Sequence, residues 1–261
     1  MGIKRLAKKI LGLEKKLVEY KGNFSSFAEA EKFCEGYDSD VILEKVKQGT
    51  MAVVNGKAAY ERDSFLFYEK EINYNLMMYL YKIYIKDGCL NVCDWGGALG
   101  STFLQHKDLL AELSCRWNIL EQKHFIEFGK ANIQIEGLSF RESLHDREEG
   151  EKYNCILFSS VLQYLENVWE VINLAVNEKP GYIILERTPV SDCSRIWIEN
   201  VHEPIYEASY ACRVFDEKEL IDAFLTKGYN LIDSWHSLVD VDEKMDKDHK
   251  VEFKSFVFQC T

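Results

Sequence analysis

From Leu90 onward the chain alternates short apolar runs with segments of helical periodicity, and few architectures accommodate that order. Strands that are each followed by a helix predict a parallel sheet covered on both faces, because a parallel connection needs a crossover that a helix supplies. Strands are expected at 90–94, 116–121, 133–138, 153–159 and 181–186, with helices at 101–113, 123–130 and 167–177. A further helix at 216–227, capped by Asp216 and closed by Gly228, precedes strands near 229–239 and 251–260. The charged stretch 240–250 between them reads as a solvated loop. The expected fold is α/β: a doubly wound, mostly parallel sheet with an N-terminal helical extension.

Upstream, the first 17 residues place Ile3, Leu6, Ala7, Ile10, Leu13 and Leu17 at helical spacing among lysines, an amphipathic basic helix. Residues 1–16 carry six basic side chains against one acidic, so the rest of the chain holds −16 of a net −11. Such a helix fits an anionic membrane surface or the chain's own acidic body, and composition leaves both open. Residues 20–47 read as a linker and then a helix capped by Ser25 or Ser26 and ended by Gly36, with another helix at 40–48. The segment 51–67 reads as a hairpin turning at Asn55 and Gly56, leading into an aromatic helix at 65–86 whose buried face is Leu76, Tyr79, Leu80 and Ile83. The expected domains are a basic helix at 1–19, a helical cap region at 20–88 and a nucleotide-type domain at 89–261.

Several classes of function are disfavoured by composition. Hydrophobic residues at 47% and charged residues at 29% describe a folded domain. No apolar run approaches the roughly 20 residues that span a bilayer, and no signal peptide is evident, so a cytoplasmic location is expected, with the inner membrane face as a variant. The acidic body disfavours nucleic acid. Eight scattered cysteines without a CxxC pair predict free thiols in a reducing compartment and no metal site.

The first strand runs into DWGGALG, residues 94–100, at a strand-to-helix turn. Glycine there permits positive φ and close approach of a ligand, and the helix that follows offers free N–H groups. In a doubly wound sheet ligands bind beyond the carboxyl ends of the strands. Those ends present Asp94 with Gly96, Gly97 and Gly100; Glu121 and Gln122 in NILEQ; Ser159 and Ser160; then Glu186 and Arg187 before a proline expected to stop the strand. Glu121 lies about 20 residues past the glycines, where a carboxylate accepts ribose hydroxyls. GGxxG is not the GxGxxG that holds a pyrophosphate, and an acid at the head of the turn repels one. It suits a cationic amino-acid moiety, and S-adenosylmethionine combines that with a ribose.

DWGGALG resembles the DxGxGxG motif of class I S-adenosylmethionine-dependent methyltransferases, with Ala98 in place of the middle glycine. The ordered blocks YERDSFLF, DWGGALGS, NILEQ, FSSVLQYLEN, ERTP and IYEASY resemble a methyltransferase family associated with bacterial surface-polysaccharide genes, over residues 20–239. The resemblance implies a Rossmann-like, seven-stranded sheet with an antiparallel last strand, with the turn holding the methionine part, Glu121 the ribose, 138–140 including Phe140 walling the adenine, and Ser159 and Ser160 facing the sulfonium. Ala98 is expected only to narrow the turn. Glu186 stands where an aspartate is expected.

A sugar hydroxyl accepting a methyl group gains from a base. His202 and Glu203, in a polar insertion after the fifth strand, are the candidates, with a solvated loop pair as the alternative; Arg187 is a clamp for an acceptor anion or a partner of Glu186 or Asp63. Tyr60, Arg62 and Asp63 of YERDS grip the acceptor or cover the cofactor, unless Asp63 or Ser64 merely caps a helix. The resemblance implies that Gln163 and Tyr164 lie where the acceptor approaches; the alternative is a helix-start pair covering the pocket edge. Tyr206 and Tyr210 stack on a sugar ring or belong to the core as one helical turn. The sequence therefore points to S-adenosylmethionine-dependent O-methylation of a sugar in a bacterial surface glycan or its precursor. A non-catalytic S-adenosylmethionine-binding scaffold of glycan assembly and an NAD-dependent oxidoreductase are the competing readings.

Overall fold

The computed structural model describes residues 18–34, 40–147, 150–202, 208–237, 243–244 and 249–261, so the basic helix expected at 1–17 lies outside it. Its first elements are β1 (Val18–Phe24), α1 (Phe27–Glu31), α2 (Asp40–Val54), the hairpin β2 (Tyr60–Arg62) and β3 (Phe65–Phe67), and α3 (Tyr74–Asp87). Next come β4 (Leu90–Trp95), α4 (Ser101–Leu110), β5 (Cys115–Leu120), α5 (Lys123–Asn132), β6 (Leu138–Arg141), β7 (Cys155–Ser159) and α6 (Val168–Asn177). The last are β8 (Tyr182–Ser191), β9 (Arg195–Val201), β10 (Ala208–Asp216), α7 (Glu217–Leu225), β11 (Tyr229–His236), β12 (Glu243–Lys244) and β13 (Lys250–Cys260). The fold is mixed α/β with a mostly parallel central sheet, the expected class.

The chain forms two compact units. One comprises residues 43–158 and 178–183. Its strands follow the order β7-β4-β5-β6, every pair parallel, and the start of β8 is tied to it where the Tyr182 N–H donates to the Asn154 carbonyl at 3.0 Å. Residues 90–94 of β4 are all buried, which is why LNVCDW reads as an unbroken run rather than an alternating one. In α3 the Asn73 side chain caps the start by accepting from the Leu76 N–H, and Leu76, Tyr79, Leu80 and Ile83 are buried as their spacing predicts.

The other unit comprises the described part of 1–42, with 159–177 and 184–261. Its strands follow the order β1-β9-β10-β8, antiparallel except for β10 with β8, which pair in parallel at Val190 and Ser191. β13 pairs β8 and carries β11 antiparallel, so the expected antiparallel last strand is present. Asp216 caps α7 by accepting from the Glu219 N–H at 2.9 Å.

Several expectations are corrected. Residues 51–54 finish α2, and Asn55 and Gly56 close that helix, bonding back to the Met51 and Val53 carbonyls. An apolar run of four residues suits either state, and the preceding helical turns decide it. The hairpin turns instead at Asp63 and Ser64, with φ of 50° and 66°, the left-handed pair a tight two-residue turn requires. The aromatic helix accordingly starts at Tyr74. The third parallel strand falls at Leu138–Arg141, after the run at 133–138 whose alternation imitates it. β8 continues through Pro189 to Ser191, past a kink at Arg187 where φ is 57°. The stretch expected as a linker at residue 20 is β1. The polar insertion after the fifth strand is β9 and β10, whose apolar alternation is read correctly only as strand. Part of the solvated loop forms β12 against β13.

Candidate functional site

The βα turn begins on a buried charge. Asp94 is 0% exposed and receives the Trp117 indole N–H on Oδ2 at 2.9 Å, while Oδ1 is buried with no protein donor. Burial pushes its carboxyl up to about 7, with the indole bond opposing and the charge of Glu121 adding to the shift. Gly97 is required by that carboxylate: a Cβ at 97 would come within 2.6 Å of Asp94 Oδ2. Gly100 lies at φ 92°, where a side chain is strained. Ala98 also has positive φ, 49°, so replacing the motif's middle glycine costs backbone strain, and the expected narrowing by its methyl group is secondary.

Glu121 follows β5 directly. Its carboxylate is raised by burial and accepts from the backbone N–H groups of Gln122, at 3.1 Å, and Ala98. The turn and the acid are thus one hydrogen-bonded unit. Phe140 is buried in β6 with its ring against Gly129 of α5, where an added Cβ would come within 2.5 Å of it. Leu138 packs at Gly100.

The hairpin supplies the residue that sequence reasoning passed over. Glu61, between the singled-out Tyr60 and Arg62, is 3% exposed; the Ser101 hydroxyl donates to its Oε1, and the Ser64 N–H donates to Oε2 at 3.1 Å. Ser101 opens α4, so Glu61 holds the helix that follows the glycine turn. Burial raises its carboxyl to about 7 against the opposing bond from Ser101. Tyr60 is buried, stacked on Phe67 at 4.5 Å, with its hydroxyl donating to Glu71 at 2.6 Å. Arg62 lies over both rings.

In the other unit Ser160 has φ 57°; its N–H donates to the Glu186 carbonyl at 2.9 Å and its hydroxyl accepts from Gln163 Nε2 at 2.9 Å. Gln163 is buried in a single 3₁₀ turn, and its Oε1 has no protein partner. Next to it the Tyr164 hydroxyl donates to the buried Glu199 at 3.0 Å, and its ring meets Tyr210 edge-on at 5.1 Å. Glu199, in β9, is a second acid that sequence reasoning missed, because β9 was not recognised as a strand. Tyr210 is buried in β10 rather than on a helical turn. Ser159 ends β7 and is partly exposed; Glu186 is buried in β8. The Arg187 N–H donates to the Ser255 hydroxyl at 3.4 Å. His202 follows β9 and is partly exposed, while Glu203 and Tyr206 lie outside the described residues. Among the described residues six non-glycines have positive φ, and five of them, Asp63, Ser64, Ala98, Ser160 and Arg187, fall in the sequence blocks singled out for chemistry. Such strain persists where surrounding structure over-determines it, commonly at functional sites.

No protein-family model matches the chain, and no curated protein matches it. Solved structures do. The N-terminal domain of EvdMO1, crystallised in the presence of SAH and D-fucose, superposes with a TM-score of 0.50 at 12% identity, covering 86% of this chain and 97% of that one. LepI C52A, in complex with SAH and a substrate analogue, gives 0.50 at 10% identity, covering 84% and 55%. An S-adenosylmethionine-dependent methyltransferase from Clostridium acetobutylicum ATCC 824 gives 0.46 at 10% identity, covering 73% and 93%. The chain thus shares its mixed α/β fold with two proteins crystallised with SAH. The residues of the turn fit S-adenosylmethionine: a buried acceptor without a protein donor at Asp94, glycine keeping space clear beside it, and a carboxylate bonded to the turn one strand away. No helix among the described residues is long and apolar enough to cross a membrane.

Proposed function

We propose that the chain is an S-adenosylmethionine-dependent methyltransferase that O-methylates a sugar of a bacterial surface polysaccharide or its precursor. The observation that carries the reading is Asp94. A fully buried carboxylate whose Oδ1 lacks a donor is costly in the unliganded protein, and a ligand that brings a cation and N–H donors offsets that cost. Bound S-adenosylmethionine supplies an electrophilic methyl group on a good leaving group. The chain's part is then to bind, orient and accept a proton. Asp94 with Gly96, Gly97 and Gly100 takes the amino-acid end; Glu121 and Gln122 take the ribose; Leu138 and Phe140 border the adenine; Ser159 and Ser160 serve the sulfonium side.

For the acceptor, Gln163, Tyr164 and Tyr210 offer a hydrogen-bonding edge and aromatic surface suited to a sugar, with Glu199 fixing the Tyr164 hydroxyl. Tyr60, Arg62, Asp63, Glu186 and Tyr206 belong to the proposed acceptor side. His202, Glu203 and Arg187 are the proposed proton acceptors and clamp. The D-fucose present with EvdMO1 supports a sugar acceptor. The basic segment 1–17 fits work at the inner face of a membrane where lipid-linked glycans are built; removal of these residues is expected to abolish binding to anionic vesicles, and unchanged binding refutes that part.

The test is calorimetric titration with S-adenosylhomocysteine, followed by transfer of labelled methyl groups to glycan extracts. Binding at roughly micromolar affinity with a labelled glycan supports the reading. Binding without product returns the chain to the scaffold reading, and binding of NAD instead returns it to the oxidoreductase.

A further inference from the structure

We propose that Asp192, Cys193 and His249 form a zinc-binding site, separate from the residues assigned to cofactor and acceptor. Sequence spacing points away from it, since Cys193 and His249 are distant in the chain. The sheet brings them together. β8 ends at Ser191 and β13 begins at Lys250, the two strands are neighbours, and the Ser191 hydroxyl lies 2.8 Å from the Lys250 carbonyl. Asp192 and Cys193 leave one strand beside the point where His249 enters the other.

The carboxylate oxygen, thiol sulfur and imidazole nitrogen all lie within 4.8 Å of one another. Around a tetrahedral zinc, with bonds of about 2.0 Å to nitrogen or oxygen and 2.3 Å to sulfur, ligand atoms stand roughly 3.2–3.8 Å apart. Only small movements separate the observed triangle from a coordinating one. His249 Nδ1 and Asp192 Oδ1 are 2.7 Å apart and share a proton. A cation replaces that proton and spreads the pair by about half an ångström toward ligand spacing.

The surroundings hold the ligands in place. The Ser191 hydroxyl is also 3.2 Å from Asp192 Oδ1, and the Ser194 hydroxyl donates to the Val214 carbonyl at 3.1 Å, which fixes the far side of the turn. Outer hydrogen bonds of this kind orient metal ligands. Cys193 is partly buried, whereas the Asp192 side chain is 70% exposed, so an ion has a path in. One sulfur, one nitrogen and one carboxylate select zinc over magnesium or calcium, which prefer all-oxygen shells. Three protein ligands leave a fourth position for water. The bound ion would tie the β8–β9 turn to the start of β13.

The full-length chain, stripped with chelator, is to be titrated with Zn²⁺ against a chromophoric competitor and with Co²⁺ under absorption spectroscopy. Expected are one equivalent bound at about micromolar affinity or tighter and a thiolate-to-cobalt charge-transfer band. Cys193→Ser removes the band, and both it and His249→Gln weaken zinc binding by at least about 10-fold; Cys89→Ser, at an exposed cysteine elsewhere, changes neither. Circular dichroism of each variant separates ligand loss from misfolding, and retained S-adenosylhomocysteine affinity in Cys193→Ser separates the two sites. Zinc affinity weaker than about 0.1 mM, a cobalt complex without the band, or a folded Cys193→Ser that binds as well as the parent overturns the proposal.

Discussion

Asp94 and Glu61 are both buried carboxylates, both pushed by burial to about 7, and they occupy neighbouring parts of the chain's machinery, the βα turn and the hairpin. Their hydrogen bonding separates them. Glu61 has a donor on each oxygen, the Ser101 hydroxyl and the Ser64 N–H, whereas Asp94 has a donor on Oδ2 alone. A satisfied buried acid positions its neighbours; one with an unfilled acceptor is prepared for something else. Glu61 therefore ties the hairpin to the start of α4, and Asp94 is the residue proposed to meet the cofactor.

The largest expected effect comes from adding a methyl group beside Asp94. Gly97→Ala forces the carboxylate to move, so S-adenosylhomocysteine affinity should fall about 100-fold, close to 3 kcal/mol, in calorimetry. The paired substitutions sharpen the contrast. Asp94→Asn should weaken binding by about 30-fold while leaving the melting temperature of the unliganded protein equal or higher. Glu61→Ala, which strands the Ser101 and Ser64 donors, should lower that temperature by the equivalent of about 2 kcal/mol, with a smaller loss of affinity. A variant pair that reversed these two signatures would break the distinction.

The pH dependence follows from the same shifts. Each acid binds its proton more tightly folded than unfolded, so the folded state holds more protons between the ordinary carboxylate values of 3.8 and 4.5 and about 7. Stability of the unliganded protein should accordingly fall as pH rises through that window and level off above it. Denaturant titrations at a series of pH values should show the slope, and Asp94→Asn should flatten it. Cofactor binding to ionised Asp94 should release protons near neutral pH, read from calorimetry in buffers of different ionisation enthalpy.

Smaller effects are expected on the proposed acceptor side and in the turn backbone. Tyr164→Phe removes the hydroxyl that donates to Glu199, and should raise the acceptor KM with cofactor affinity unchanged, at a stability cost of about 1–2 kcal/mol. Ala98→Gly relieves a left-handed alanine and should stabilise by under about 1 kcal/mol, because added freedom in the unfolded chain offsets part of the gain.

What the sequence made legible was local. The strand–glycine–helix turn, Glu121, the caps at Asn73 and Asp216, and the alternation from Leu90 all depend on residues a few positions apart. The parts that were not legible depend on pairing across distance. β1, β9 and β10 become a sheet only through one another, so residues near 20 read as linker and IYEASY as a helical turn. Glu61 was skipped because its burial follows from a hairpin turning at Asp63 and Ser64, and no glycine announces that turn. Cys193 and His249 meet only because β8 and β13 are neighbours. Charge and propensity are written along the chain, whereas register is not.

The central claim is that the unfilled oxygen of Asp94 is kept for a cofactor. Titration of the parent chain and Asp94→Asn with S-adenosylhomocysteine, alongside their unliganded melting temperatures, tests it most directly. The account predicts roughly micromolar binding by the parent and a loss of about 30-fold in a variant that melts no lower. Equal affinity in the two proteins, or no binding by the parent below about a millimolar, would contradict it.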